Sequence, residues 1–296
     1  MQVPPRTVAD HELYSPNSVD YESGSAAMEK NRSAVQRVVS LIHRRYYEPL
    51  TLQDLAAEAC YSTFHFTRVF HKEAGLPPRQ FLTAVRLYHA KRLLAGTDMS
   101  IVDVVTSVGY SSVGTFTTRF TNATGVSPSA FRDPAVNRLL ALVGPCGLQL
   151  PSAATVAAAE CRGRRYADST GAIVGSLQLP DRAELLIGVF DSTTPQTGPV
   201  ACHTIAASDA VEIYIQNVPV GLWHLVAIGR RQGALTDRDA ALLATTQRPI
   251  RVSQGEVAGA PALRLAPPTP LTPPIATLFG PPRDRAPAMD GVRAVG

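Results

Sequence analysis

Four neighbouring side chains, Phe64, His65, Thr67 and Arg68, have the types needed to touch the edges of nucleic-acid bases. An arginine guanidinium can bond guanine O6 and N7 together, and a phenyl ring or a threonine methyl can meet a thymine methyl. The plainer alternative for Arg68 is a phosphate or a neighbouring helix. His65 reads more readily as a packed or capping residue. Fifty residues later the same places are held by Gly114, Thr115, Thr117 and Thr118, followed by Arg119. These small side chains offer fewer bidentate partners. The first stretch is therefore expected to discriminate bases, and the second to position the chain on the backbone. Arg119 either reaches a phosphate or bridges helices. Lys91, Arg92 and Arg86, between the two stretches, are either phosphate contacts or an ordinary solvated face.

The elements that must position these residues form a repeat. Thr51-Leu52 matches Ser100-Ile101 and Tyr61-Ser62 matches Tyr110-Ser111, at an offset of 49. Past one extra residue, Ser112, the offset is 50: Phe66, Phe70, Gly75, Pro78 and Phe81 match Phe116, Phe120, Gly125, Pro128 and Phe131. One insertion in a turn, with matching aromatics on either side, marks two copies of a structural unit. Each copy reads as two helices. Thr51 or Ser100 caps the first, since a hydroxyl accepts from an orphan helix N–H. Leu52, Leu55, Ala56 and Ala59, or Ile101, Val104, Val105 and Val108, form the apolar face. A break at Cys60-Tyr61 or Gly109-Tyr110 precedes the second helix, capped by Ser62 or by Ser111 or Ser112. Gly75 and Gly125 suit left-handed C-terminal caps. Between the copies, 79–95 reads as one helix of roughly 24 Å. That length is compatible with holding two reading helices in successive major grooves, about 34 Å apart.

Two short helices joined by a tight turn are the helix-turn-helix of DNA-binding proteins. The stretches TLQDLAAEACYSTFHFTRVFHKEAG, VRLYHAKRLLAGTDMSIVDVVTSVGYSS and FTTRFTNATGVSPSAFR resemble the paired helix-turn-helix domain of the AraC/XylS family of bacterial transcription regulators. The resemblance runs from about residue 34 to 132, a third of the chain. It implies double-stranded DNA as partner, with the positions of Phe64, Thr67 and Arg68 facing it. It also implies activation of transcription, with RNA polymerase as a partner, in the bacterial cytoplasm at the nucleoid. Relatives often carry Gln or Arg where this chain has Gly114, Thr117 and Thr118. Most relatives place a sensing or dimerising domain before the paired unit, whereas here a different segment follows it.

Charge agrees with this placement. Residues 29–133 hold 13 Lys or Arg against 8 Asp or Glu, a net of +5, while residues 1–28 have a net of −3 and residues 134–296 a net of +2. The basic excess thus sits on the repeat, as a phosphate-binding surface requires. Residues 1–28 read as a flexible acidic arm without the pattern of a signal peptide. Val35, Val38, Val39, Ile42 and Tyr46 predict an amphipathic helix that packs on the first copy. Residues 134–160 read as a helical linker with a Gly-Pro-Cys-Gly break.

From 161 to 266 the grammar changes to strand-length apolar runs: 172–179, 184–190, 200–206, 211–218, 222–228, 250–253 and 262–265. The expectation is an all-α domain followed by an antiparallel β-sandwich of about seven strands. The stretches GAIVGSLQL and NVPVGLWHLVAIG resemble transthyretin-like or carboxypeptidase-regulatory-like sandwiches, with Val220 where a second proline is common. Such a module would act as sensor of a small ligand, dimerisation surface or protein-contact surface. TDRDAALLATT reads as a short helix capped by Thr236 or Asp237. Residues 267–296, rich in proline, read as a disordered tail whose removal leaves melting unchanged.

Catalytic chemistry finds little support. Cys146 in Gly-Pro-Cys-Gly and Cys202 in Ala-Cys-His-Thr do not match the Pro-Cys-His-Arg motif of DNA-repair methyltransferases that some relatives carry. Cys60, Cys146, Cys161 and Cys202 lack metal-ligand spacing and read as reduced thiols. Asp237 and Asp239 lack the glycine and bidentate glutamate of a calcium loop. Trp223 and His224 are adjacent on a strand and so face opposite sides. The chain is expected to be no enzyme, to need no cofactor or metal, and to contact no membrane. The competing readings are an enzyme with a DNA-targeting helical module and an interaction adaptor whose helices no longer bind DNA.

Overall fold

The computed structural model describes residues 19–160 and 170–279. Helix α1 (Val19–Arg45) buries Val35, Val38, Val39 and Ile42, the stripe legible in the sequence. It starts within the stretch expected to be a flexible arm, because Val19 to Lys30 continue the helix. Residues 1–18 of that expected arm lie outside the described part.

The two copies follow in order. The first is α2 (Leu52–Glu58) and α3 (Thr63–Ala74), the second α5 (Ile101–Ser107) and α6 (Val113–Thr124), with α4 (Pro78–Gly96) between them. Thr51 and Asp54 form a reciprocal capping box on α2, and Ser62, Ser100 and Ser112 cap α3, α5 and α6. Gly75 and Gly125 close the second helix of each copy in the left-handed conformation. The aromatic cores repeat as well. Phe66, Phe70 and Phe81 meet at 5.4 and 5.5 Å, and Phe116, Phe120 and Phe131 at 5.4 and 5.3 Å. Helix α4 is shared: Phe81, Leu82 and Val85 enter the first core, while Leu87, Tyr88, Ala90 and Leu94 enter the second.

Short helices α7 (Pro128–Phe131) and α8 (Pro134–Asn137) lead into strands β1 (Leu140–Gly144) and β2 (Gly147–Gln149), then α9 (Ala153–Glu160). The expected helical linker is therefore partly a β-hairpin, with Gly-Pro-Cys-Gly as its turn. The two positions flanking the turn are Gly144 and Gly147, which are register partners. A Cβ on Gly144 would lie 2.9 Å from the Tyr88 ring, so a side chain there would push the hairpin off α4.

A strand-rich region follows: β3 (Thr170–Gln178), β4 (Ala183–Phe190), β5 (Ala201–Ala207), β6 (Ala210–Pro219), β7 (Gly221–Arg231), α10 (Asp237–Ala240), β8 (Ala241–Thr245), β9 (Ile250–Val252), β10 (Val257–Gly259), β11 (Leu263–Arg264) and β12 (Ile275–Leu278). Among the described residues, β5, β4, β7 and β8 line up antiparallel, with β9 also on β7. In a second sheet β6 pairs antiparallel with β3, whereas β10 and β11 pair with β3 in parallel. The expectation of purely antiparallel pairing fails there. Alternate residues of β3, β4, β6 and β7, among them Ile173, Ile187, Ile215 and Leu225, share one apolar cluster. Within TDRDAALLATT only the polar start is helical, capped by Thr236. Its apolar run forms β8, because a run this short fits either helix or strand and the open edge of β7 is available.

The expected tail also differs. Strand β12 pairs antiparallel with β1 in the register Leu140↔Leu278 to Val143↔Ile275. Proline composition alone suggested an extended tail, but Pro273 and Pro274 precede the strand and leave its pairing intact. The sheet β12-β1-β2 has two buried faces. Leu140, Leu142 and Ala276 pack on the second helical copy, and Ala141, Val143, Ile275 and Phe279 pack on Leu186, Phe190, Val226 and Ile228. Leu271 reaches the first helical core. Residues 280–296 of the expected tail and Cys161 lie outside the described part. No described helix is long and apolar enough to cross a membrane.

Candidate nucleic-acid interface

The inward stripe of α3 is Phe66, Val69 and Phe70, which leaves the opposite face to solvent. Phe64 is 79% exposed, an unusual position for a phenyl ring with an apolar core beneath it. Arg68 is exposed one helical turn later, and Thr67 is half-buried beside it. The Thr67 hydroxyl donates to the Thr63 carbonyl at 2.8 Å, which turns its methyl away from its own backbone acceptor. His65 is half-buried, its ring edge-on to Tyr61 at 4.7 Å. Its Nδ1 lies 3.4 Å from Arg68 Nη2. His65 thus serves as a packing neighbour beside the guanidinium. Tyr61 in turn donates to Asn31 Oδ1 at 2.8 Å, tying the turn before α3 to α1.

Helix α6 presents the same pattern. Phe116 and Phe120 point inward, while Gly114, Thr115, Thr118 and Arg119 are exposed and Thr117 is half-buried. The fold therefore gives α3 and α6 matching outer faces, with side chains of very different reach.

The basic residues between them separate. Arg92 is exposed on α4. Arg86 is half-buried: its guanidinium donates to the carbonyls of Tyr46 and Glu48 at 2.7 Å each and lies over the Tyr110 ring. Burial pulls its pKa below the usual range, Tyr110 counteracts this and the charge of Arg119 adds to it. Arg86 is thus an internal brace between α1, α4 and the second copy. Lys91 is a correction to the sequence reading. It is 1% exposed, so it neither contacts phosphate nor belongs to a solvated face. Its ammonium donates to the carbonyl of Ala276, and to Gln196 O and Oε1 at 3.2 and 3.3 Å. Burial pushes its pKa down to about 7. The sequence offered no signal for this, because the partners lie more than a hundred residues away and two of the three are backbone carbonyls.

Elsewhere, Asp239 accepts from the Thr236 hydroxyl at 2.7 Å as part of a helix cap. Trp223 is buried and donates to Pro219 O at 2.7 Å, while His224 sits on the other side of β7 against Thr246 O. No group of three or more His, Cys, Asp or Glu suited to hold a metal occurs among the described residues.

The helix-turn-helix domain family matches residues 55–134. The lactose operon transcription activator of Staphylococcus xylosus is 33% identical over 98 residues, 33% of this chain and 35% of that protein. The transcriptional activator AarP of Providencia stuartii is 30% identical over 112 residues, 37% of this chain and 83% of that protein. The chain thus spans about a third of the first relative and most of the second. Among solved structures, the DNA-binding domain of AdpA, determined with a target DNA, is 32% identical, with 33% of this chain and 88% of that chain covered at a TM-score of 0.32.

Proposed function

Since the chain belongs to the AraC/XylS family of transcription regulators through its paired helix-turn-helix domain, we propose that it is a sequence-specific regulator of transcription. It binds double-stranded DNA with α3 and α6 in two successive major grooves, and activates transcription in contact with RNA polymerase in the bacterial cytoplasm. The observation that carries this reading is the pair of matching exposed faces, on α3 and α6, held on one shared helix. Phe64, Thr67 and Arg68 read base edges, with Arg68 bidentate to a guanine. Gly114, Thr115, Thr117 and Thr118 let α6 approach the duplex closely, and Arg119 and Arg92 contact phosphates. His65 positions Arg68. The two sheets after residue 170 form a sandwich that serves as a sensing, pairing or protein-contact module rather than as an enzyme. Support for the sandwich is the single apolar cluster drawn from both sheets.

The test is a footprint of the full chain on a selected duplex. Protection over about two helical turns is expected. Protection confined to one turn would contradict the use of both helices.

A further inference from the structure

Lys91 is a buried charge whose described polar contacts are all carbonyl oxygens, with no carboxylate among them. Burial of an ammonium without a counter-ion is costly, and an apolar side chain of the same length would fill the space without that cost. The acceptors come from two places. Ala276 is on β12, and Gln196 lies in the loop 191–200 between β4 and β5. The loop is itself fastened to β12. The Thr277 hydroxyl donates to Thr197 O, and a Cβ on Gly198 would fall 2.6 Å from Leu278 O. Pro195 and Pro199, on either side of Gln196, are buried. Withdrawal of the loop would remove two of the three acceptors and leave the ammonium underbonded in an apolar setting, so loop and helix must separate together or not at all.

We propose that Lys91 is a coupling residue that joins the strand-rich region to the helix holding the two reading helices, so that the position of loop 191–200 sets their disposition. The effect on DNA rests on the function proposed above; the coupling itself does not. Helix α4 contributes to both helical cores, so a shift of its middle displaces α3 and α6 relative to each other. A change at the β4–β5 edge of the strand-rich region thereby reaches the reading faces through loop 191–200 and Lys91, alongside the apolar packing of β1 and β12 on the second copy.

The experiment is hydrogen exchange and DNA titration on the full chain, with Lys91→Met, Gln196→Ala and the double variant. Lys91→Met keeps length and apolar stem and is expected to fold. Exchange in loop 191–200, β12 and α4 should change together by about tenfold in each single variant, slowing in Lys91→Met, which removes the buried charge, and rising in Gln196→Ala, which takes an acceptor from it. Each single variant should change the DNA dissociation constant by at least about threefold, and the double variant no more than either single one. Exchange altered in the loop alone, or additive effects in the double variant, would overturn the coupling. If the parent chain bound no DNA, the regulatory function would fail, while joint exchange in loop, β12 and α4 would still decide the coupling. Gln196→Ala provides the second route should Lys91→Met not fold.

Discussion

Arg68 and Lys91 show how differently two basic residues of one domain are used. Arg68 stands in solvent with its fork available, beside a half-buried histidine. Lys91 is enclosed, and its charge is tolerated at a cost. Because its pKa falls to about 7 in the fold against 10.5 in an exposed lysine, the unfolded chain binds the extra proton between those values. Stability contributed at this site should therefore rise as pH climbs from about 7 towards 10.5. Below about 7 both states are protonated and the penalty is constant. Lys91→Met should stabilise the fold at pH 7 by roughly 1–4 kcal/mol and flatten that rise. Urea unfolding of both proteins at pH 7 and pH 9 checks it; a less stable variant with an unchanged pH slope would contradict it.

At the scale of elements, the paired helices were legible because local chemistry determines them. Caps at Thr51, Ser62 and Ser100, glycines at 75 and 125, and phenylalanines spaced for one face all act within a few residues. Two turn positions sharpen the point. Gly75 has φ +73 with open space around its Cβ position, whereas Gly109 has φ +81 and a Cβ there would sit 2.7 Å from Tyr47 O. Gly75→Ala should cost about 1 kcal/mol from backbone strain alone. Gly109→Ala should cost roughly 2–4 kcal/mol, because the Tyr46–Tyr47 turn after α1 must also move. Thermal melts of the two variants measure the difference, and equal losses would show that the close approach is relieved elsewhere. Cys60, the residue matching Gly109, adopts φ 58 with an exposed side chain in place, whereas Gly109 backs onto the carbonyls of Tyr46 and Tyr47 that follow α1. What was not legible was partner choice among strands. The run within 236–246 became β8, and β10 and β11 joined β3 in parallel, because an open edge elsewhere in the chain decides such pairings.

Over the whole molecule, the chain closes on itself through β12. A segment whose composition suggested a loose tail places Leu271 in one helical core and Ala276 in the other, with Ile275 and Phe279 against the strand-rich region. Proline content suggested a disordered tail; burial of its interspersed apolar residues depends on β1 and could not be read locally. Deletion of residues 267–296 should therefore lower the melting temperature, by about 2–4 °C for each kcal/mol lost, and the burial of three or four large side chains amounts to several kcal/mol. An unchanged melt would show that β12 contributes little. The same geometry predicts that residues 29–133 alone expose the apolar flank of α4. Sequence-specific reading led by α3 is tested by selection of bound sequences from a random duplex pool, with the full chain and its Arg68→Ala variant side by side. The expected result is a two-block motif for the parent, and for the variant a loss of about 1–3 kcal/mol with preference relaxed at one base pair of one block. Identical motifs and affinities for the two proteins, or no motif for either, would contradict it.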